Sequence, residues 1–535
     1  MPRLSDNRVL AVALSVSALG AAGLLAGSAT AARPSASGKA TGADKVAKII
    51  ARIEAKPRYR HADWGFQILD QRTGDVLGAQ NAQKMFDPGS TMKLYSVSTA
   101  LSRYGTNYRF RTPVYRQGTV SGGTLGGSLV LVGSGDLTLG LRAEPGGRLA
   151  YANLPAVDHS YADQLPGAVL PKGDPMAGLD ELARDVRASG ITRVSGDVVV
   201  DDRLFAPYDG FPDGLISPIW VNENLVDLLV KPGAVGQPAS IDQRPLTASY
   251  TVDNRVVTVR AGKPTTLNVS EPTPGTIEVT GQIAAGSGPT LKVWEVDDPA
   301  AFARTAFIAA LQRAGVTVTA TATGPNPATL LPPKGSYQAA DRVGEHVSST
   351  LSQYAKLILK VSHNRGADLM TCLAAVRRGS TDCEDGLTSE VQTASGLGVP
   401  YAGVIPMDGA GSDDQGRTTP AALATLLRHV VRAPYGRAFV DALPILGRDG
   451  TLANVESRSP AAGRSQMKTG NRVVSNAAGQ IIVLGNSLAG YAETKSGRRV
   501  VFMIAVGNVP TRTAAGFFRV VDDQAAMVVA IQQNL

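Results

Sequence analysis

The sequence predicts a mixed α/β (α+β) fold in which a central antiparallel sheet flanked by helices is interrupted by a large β-rich insertion. Three observations predict it. Between Val46 and Leu101 the chain reads helix, β-hairpin, helix; from about Thr112 to Val296 it reads mostly as strands between Gly, Pro, Asn and Asp; from Ser465 it closes with antiparallel strands and a last helix. At 535 residues, 43% of them hydrophobic, the chain is too long for one typical domain and long enough to bury a substantial core.

The first 32 residues read as a secretory signal. Arg3 and Arg8 lie around a short polar start, Val9 to Ala26 is apolar or small, and Ala29-Thr30-Ala31 is a small-x-small cleavage site. An uncleaved anchor helix is the alternative, and the many Gly, Ala and Ser residues speak against it. Contact with a membrane is then expected only through this signal, and the mature protein is expected to be exported. After a leader rich in Pro, Ser and Ala, Val46 to Ile53 is a helix, Asp63 to Leu69 and Val76 to Ala79 pair around Arg72-Thr73-Gly74-Asp75, and Pro88-Gly89 breaks the chain before a helix with Leu94, Val97 and Leu101 on one face.

In the middle region Val114 to Val120, Ser128 to Val132, Val194 to Val200, Val221 to Val230, Ser249 to Val259, Thr276 to Val279 and Leu291 to Val296 read as strands, and only Leu179 to Ala188 and Pro299 to Ala314 as helices. Helical spacing returns at Val347 with Leu351, Tyr354, Ile358 and Val361, stops at Ser362-His363-Asn364, and resumes from Arg365 to about Val376. A helix near Pro420 to Arg432 follows. Ser465 to Val474, Gly479 to Leu484, Leu488 to Glu493 and Arg499 to Val506 are strands, and Ala514 to Gln533 is a helix carrying Phe517, Val521, Val528 and Ile531. The expected division is 1–32 signal, 33–112 and 335–535 one catalytic domain around a five-stranded sheet, and 113–334 the insertion, of one or two domains.

The formal charge is +8, and the mature chain keeps +7, because the leader carries two arginines and one aspartate. A basic exported protein suits an anionic envelope, but no dense Lys/Arg block with interleaved aromatics tracks nucleic acid, which excludes that class of partner. Cys372 and Cys383, eleven residues apart, read as a local disulfide in an exported chain; with no histidine near them they make a poor metal site, and no metal is expected.

Three short motifs carry chemistry. Ser90-x-x-Lys93 opens a helix, so a spacing of three puts the amine on the hydroxyl's face, within proton-transfer reach. A second match, Ser465-x-x-Lys468, lies in a strand, where that spacing points the side chains to opposite faces, and is dismissed as a serine-base pair. Ser362-x-Asn364 lies between two helices, and Lys468-Thr469-Gly470 on a strand of the closing sheet. The chemistry of acyl transfer assigns the roles. Ser90 is the nucleophile; Lys93 is the general base, neutral only if buried beside a second cation, which Lys468 supplies. Asn364 orients Lys93, and Ser362 relays a proton to the leaving nitrogen. The backbone N–H groups of Ser90 and Asn471 form the oxyanion hole, Thr469 and Lys468 hold a substrate carboxylate, and Gly470 keeps the strand edge clear. No cofactor is required.

In this order the trio resembles the signature of penicillin-binding proteins and serine β-lactamases. The 272 residues between Ser90 and Ser362 narrow the likeness to the D-alanyl-D-alanine carboxypeptidase/endopeptidase family, the class C low-molecular-mass penicillin-binding proteins, known for a large insertion there. Leu131 to Leu139, Gly196-Asp197, Asp201-Asp202, Val221-Asn222-Glu223-Asn224, Asp408-Gly409-Ala410-Gly411 and Asp449-Gly450-Thr451-Leu452 resemble family segments as well. The resemblance implies a serine-type carboxypeptidase, with endopeptidase activity open, acting on peptidoglycan stem peptides and inhibited by β-lactams. A β-lactamase or serine esterase, and a non-catalytic penicillin-recognising scaffold, are the alternatives. The resemblance also implies that Asp136 reads the amino end of the stem-peptide side chain. Where the family places an arginine for a diaminopimelate carboxylate, this chain has Asp414, with Arg417 three positions on. Amidated or lysine-type side chains are therefore expected to be tolerated.

Overall fold

The strand Arg499–Thr511 is the centre of a five-stranded sheet, and both of its faces are apolar. Val500, Phe502, Ile504 and Val506 join a core with Val46, Ile50 and Ile53 of helix Gly42–Glu54 and Val520, Met527, Val528 and Ile531 of helix Ala514–Asn534. Val501, Met503 and Ala505 face the opposite core, built on Leu94, Val97, Leu101, Tyr354, Ile358, Leu423 and Leu427. Alternation with period two, buried on both sides, produces this near-continuous hydrophobic run. In the computed structural model, which describes residues 41–210 and 214–535, this strand pairs with Asp63–Asp70 on one side and Ile481–Glu493 on the other. The whole sheet is antiparallel, in the order Val76–Gln80, Asp63–Asp70, Arg499–Thr511, Ile481–Glu493, Ser465–Ser475. Trp64 sits opposite Val506, so strands from residues 63–80 and 465–511 share one sheet.

The segment between helices Lys93–Tyr104 and Leu351–Val361 builds a second structure with its own core, from Val114 and Leu129 through Phe307 and Leu311. A six-stranded sheet includes Thr124–Val132, Arg109–Ser121 and Arg342–Thr350 as neighbours, and two three-stranded sheets lie beyond it.

Several expectations differ from what is observed. Val347 belongs to strand Arg342–Thr350, opposite Arg111, and the helix begins only at Leu351. Val347 fits the helical spacing by coincidence; its side chain is exposed while those of His346 and Ser348 are buried, which is strand alternation. Asn222–Asn224 interrupts the expected strand from Val221 with three left-handed residues. Strands Ser240–Arg244 and Thr266–Thr273 escape sequence reading because they are mostly polar, as do helices Glu384–Gly396 and Gly436–Ala442, which carry short or weak apolar stripes. The two strands expected at 479–493 are one, because Asn486 and Ser487 stay in the ladder. Cys372 and Cys383 are bonded, tying helix Asn364–Val376 to the residue before helix Glu384–Gly396. Among the described residues no helix is long and apolar enough to cross a membrane. The expected signal at 1–32 lies outside the described residues.

Candidate active site

Pro88 and Gly89 turn the chain into a single 3-10 turn, Gly89–Met92, that carries Ser90, and Lys93 is the first residue of the α-helix after it. The turn is pinned from behind. Asp87 Oδ1 accepts from Gly89 N at 2.8 Å, and Ser487 Oγ donates to the Pro88 carbonyl at 2.7 Å. Burial pushes the Asp87 carboxyl up to about 6, against the Gly89 N–H and the charges of Arg417 and Arg472. Gly470 packs directly onto the turn: a Cβ there would lie 2.0 Å from the Pro88 carbonyl oxygen. Its missing side chain therefore makes room for the Ser90 turn against the strand edge.

Lys93 is fully buried, and its Nζ donates to Ser90 Oγ at 2.8 Å, Asn364 Oδ1 at 2.6 Å and the Ala410 carbonyl at 2.8 Å. Two fixed acceptors thus take two amine hydrogens, and the remaining position faces Ser90. Lys468, also fully buried, donates to Ser362 Oγ and to the Thr469 carbonyl, both at 2.8 Å. Burial, reinforced by the neighbouring Lys93 amine, holds the Lys468 amine well below the ordinary lysine range: two buried amines this close carry one charge between them.

The strand Ser465–Ser475 is the edge of the sheet. Met467 N donates outward to Pro444 O at 2.9 Å, so by alternation the N–H groups of Thr469 and Asn471 also face out, and Gly89 lies against Asn471 N. The Asn471 N–H is thereby brought to the Ser90 turn, whose own first N–H groups have no partner in the turn. Ser90, Lys93, Ser362, Asn364, Lys468, Thr469, Gly470 and Asn471 are brought together. Asp136 is not. It is 3% exposed, and its Oδ1 accepts from Thr138 N, Leu139 N and the Tyr354 hydroxyl.

Beside the Ser90 turn a cleft of about 250 Å³ is bounded by Tyr208, Asp209, Met407, Asp413, Asp414 and Arg472. Asp408 also reaches it, but its carboxylate is taken by the N–H groups of Gly411, Ser412 and Asp413. Arg417 does not line the cleft; its guanidinium turns to the Asp414 and Gly416 carbonyls at 2.6 and 2.7 Å. The cation there is Arg472, which sequence reasoning missed although strand period two places it on the face of Lys468 and Gly470. Tyr161, brought from the insertion, was missed as well: its hydroxyl donates to the Ser362 carbonyl and lies 3.1 Å from Asn364 Oδ1, and nothing in its sequence neighbourhood announces this.

The chain is 29% identical over 445 residues to a D-alanyl-D-alanine carboxypeptidase of an Actinomadura species, covering 77% of this chain and 74% of that protein. A penicillin-sensitive carboxypeptidase A of Dictyostelium discoideum is 23% identical, with 81% and 80% covered. The fold matches that of penicillin binding protein 4 from Haemophilus influenzae with a TM-score of 0.68 at 18% identity, over 90% of this chain and 99% of that one. A second structure of that protein, complexed with a β-lactam, matches with a TM-score of 0.65. With the trio assembled on this fold and a family model matching residues 46–530, the chain belongs to the D-Ala-D-Ala carboxypeptidase 3 (S13) family.

Proposed function

We propose that the D-alanyl-D-alanine carboxypeptidase activity of this family is carried here by Ser90, through an acyl-enzyme formed on peptidoglycan stem peptides. The observation that supports it most is the 2.8 Å contact between Lys93 Nζ and Ser90 Oγ inside a cage that also holds Lys468 and Ser362. Neutral Lys93 takes the proton of the Ser90 hydroxyl as its oxygen attacks the penultimate D-alanine carbonyl. The oxyanion that forms is held by the N–H groups of Ser90 and Asn471. As the C–N bond breaks, Ser362 passes a proton from Lys468 to the departing amine of the terminal D-alanine. Water then frees the enzyme, with the same groups acting in reverse. Thr469 and Lys468 hold the terminal carboxylate.

The terminal amine of a neighbouring stem peptide is an equally good leaving group in this geometry, so cleavage of D,D cross-links belongs to the same reading. β-Lactams acylate Ser90 by the same attack. The protein works in the cell envelope after export, with residues 33–112 and 335–535 as the catalytic domain and 113–334 as the insertion. Side-chain recognition falls to the acidic cleft rather than to buried Asp136. Asp209, Asp413 and Asp414 outnumber Arg472 there and favour an ammonium over a carboxylate. The test is release of D-alanine from a D-Ala-D-Ala stem peptide by the wild type and its loss in Ser90→Ala. Release that survives the substitution rejects the assignment.

A further inference from the structure

Ser362 holds φ 64° and ψ 35° between two helices, a left-handed conformation that an ordinary residue keeps only when its surroundings enforce it. The enforcing group is its neighbour His363, whose ring is fully buried and used on both sides. Gly366 N donates to Nδ1 at 3.0 Å, capping helix Asn364–Val376, and Nε2–H faces Glu223 Oε2 at 2.7 Å. These two partners fix one tautomer and one orientation of the ring.

Glu223 comes from the insertion, at the centre of the left-handed run Asn222-Glu223-Asn224 with φ of 53°, 56° and 54°. Arg142 clasps its carboxylate with Nε and Nη2, and His159 Nε2 adds a contact at 2.9 Å. Arg142 is held in turn by Asp158 at 2.8 and 3.0 Å, and His159 by Asp227 at 2.8 Å. Arg365 Nη1 reaches the Glu223 carbonyl at 3.1 Å. Burial disfavours charge on His159, yet Asp227 and Glu223 hold it up at about 9. Asp158, His159 and Glu223 have ligand atoms close enough for a metal ion, but the Arg142 guanidinium already occupies that position as the cation.

We infer that Glu223 is a positioning residue for acyl transfer, acting through His363 to hold the Ser362-His363-Asn364 turn so that Ser362 meets Lys468 and Asn364 meets Lys93. The inference rests on the reading of Ser90 as nucleophile given above. A shift of about 1 Å in this turn breaks the 2.8 Å and 2.6 Å contacts that set both lysines, and misplacement of that size is costly to a catalytic group. Tyr161 supports the same turn from its other side, so the insertion grips the catalytic motif at two points.

The test compares wild type with Glu223→Ala, His363→Ala and the double variant of the full mature chain. Labelled penicillin counts functional sites, and the acylation rate is then expressed per counted site, beside kcat and KM for a D-Ala-D-Ala peptide. A purely structural role lowers the number of sites and leaves the rate per site unchanged. The positioning role lowers the rate per site at least tenfold in each single variant, with KM within about threefold and the double no slower than the slower single. If Glu223→Ala does not accumulate, Glu223→Gln keeps the volume but offers an amide where four donors converge, and the same loss per site is expected. A per-site rate within twofold of wild type, or multiplicative losses in the double, overturns the inference. Wild type that takes no penicillin overturns the assignment of the reaction and this inference with it; wild type that reacts beside equally fast variants overturns the positioning role alone.

Discussion

At the scale of single residues, the proposed reaction requires Lys93 to be neutral when Ser90 attacks. Asn364 contributes because its Oδ1 accepts from Lys93 Nζ at 2.6 Å without carrying charge. Asn364→Asp keeps the shape and puts an anion there, which favours the ammonium. The acid limb of the acylation pH profile is expected to move up by about one pH unit or more, at about 1.4 kcal/mol per unit, with activity recovering at higher pH. A profile that stays in place contradicts Lys93 as the base. A second residue-scale prediction concerns Glu390, fully buried on helix Glu384–Gly396 with Thr371 Oγ1 at 2.6 Å. Burial pushes its carboxyl up to about 8 from the ordinary 4.5. Between those values the folded protein keeps a proton that the unfolded chain releases, so stability falls as pH rises, by about 1.4 kcal/mol per unit. Glu390→Gln removes the loss: the variant should gain in Tm over wild type at pH 8 and show no such gain at pH 5. Parallel Tm curves would refute the buried, protonated state.

At the scale of elements, the decisive meeting is between the edge strand Ser465–Ser475 and the nucleophile turn. Gly470→Ala places a methyl 2.0 Å from the Pro88 carbonyl oxygen and 2.4 Å from Ser487 Oγ, so strand and turn must separate. Loss of acylation by about a hundredfold is expected, since an oxyanion donor then leaves its place; near-normal acylation would show that the contact is not needed. Those elements carrying the chemistry were legible in the sequence because their signals are local. Ser90 and Lys93 share a helix start, Ser362 and Asn364 an inter-helix turn, and Lys468 to Gly470 one strand. Residues that act across the fold were not. Tyr161 lies 201 positions from Ser362, and Glu223 lies 140 from His363, with no periodicity to join them. Asp136 failed for the opposite reason: its local pattern matched, but it is buried, with Oδ1 taken by Thr138, Leu139 and Tyr354 and Oδ2 facing His346 at 3.5 Å.

At the scale of the whole molecule, residues 63–80 and 465–511 form one sheet, and Tyr161 and Glu223 reach the Ser362 turn from the segment between them. In the proposed function, the cleft lined by Asp209, Asp413, Asp414 and Arg472 sets specificity. Stem peptides with an amidated or lysine-type third residue should show higher kcat/KM than the free diaminopimelate acid, and Asp414→Arg should reverse that order; a wild-type preference for the free acid, unchanged in the variant, would remove the cleft from substrate recognition. Everything proposed for this molecule passes through one covalent bond. The most direct measurement is the intact mass of the mature protein after exposure to penicillin, followed by peptide mapping of the adduct. A single penicilloyl group on Ser90, absent from Ser90→Ala and Lys93→Ala, is the predicted result. An adduct on Ser362 or Ser465, or none at all on a folded wild type, would contradict the account.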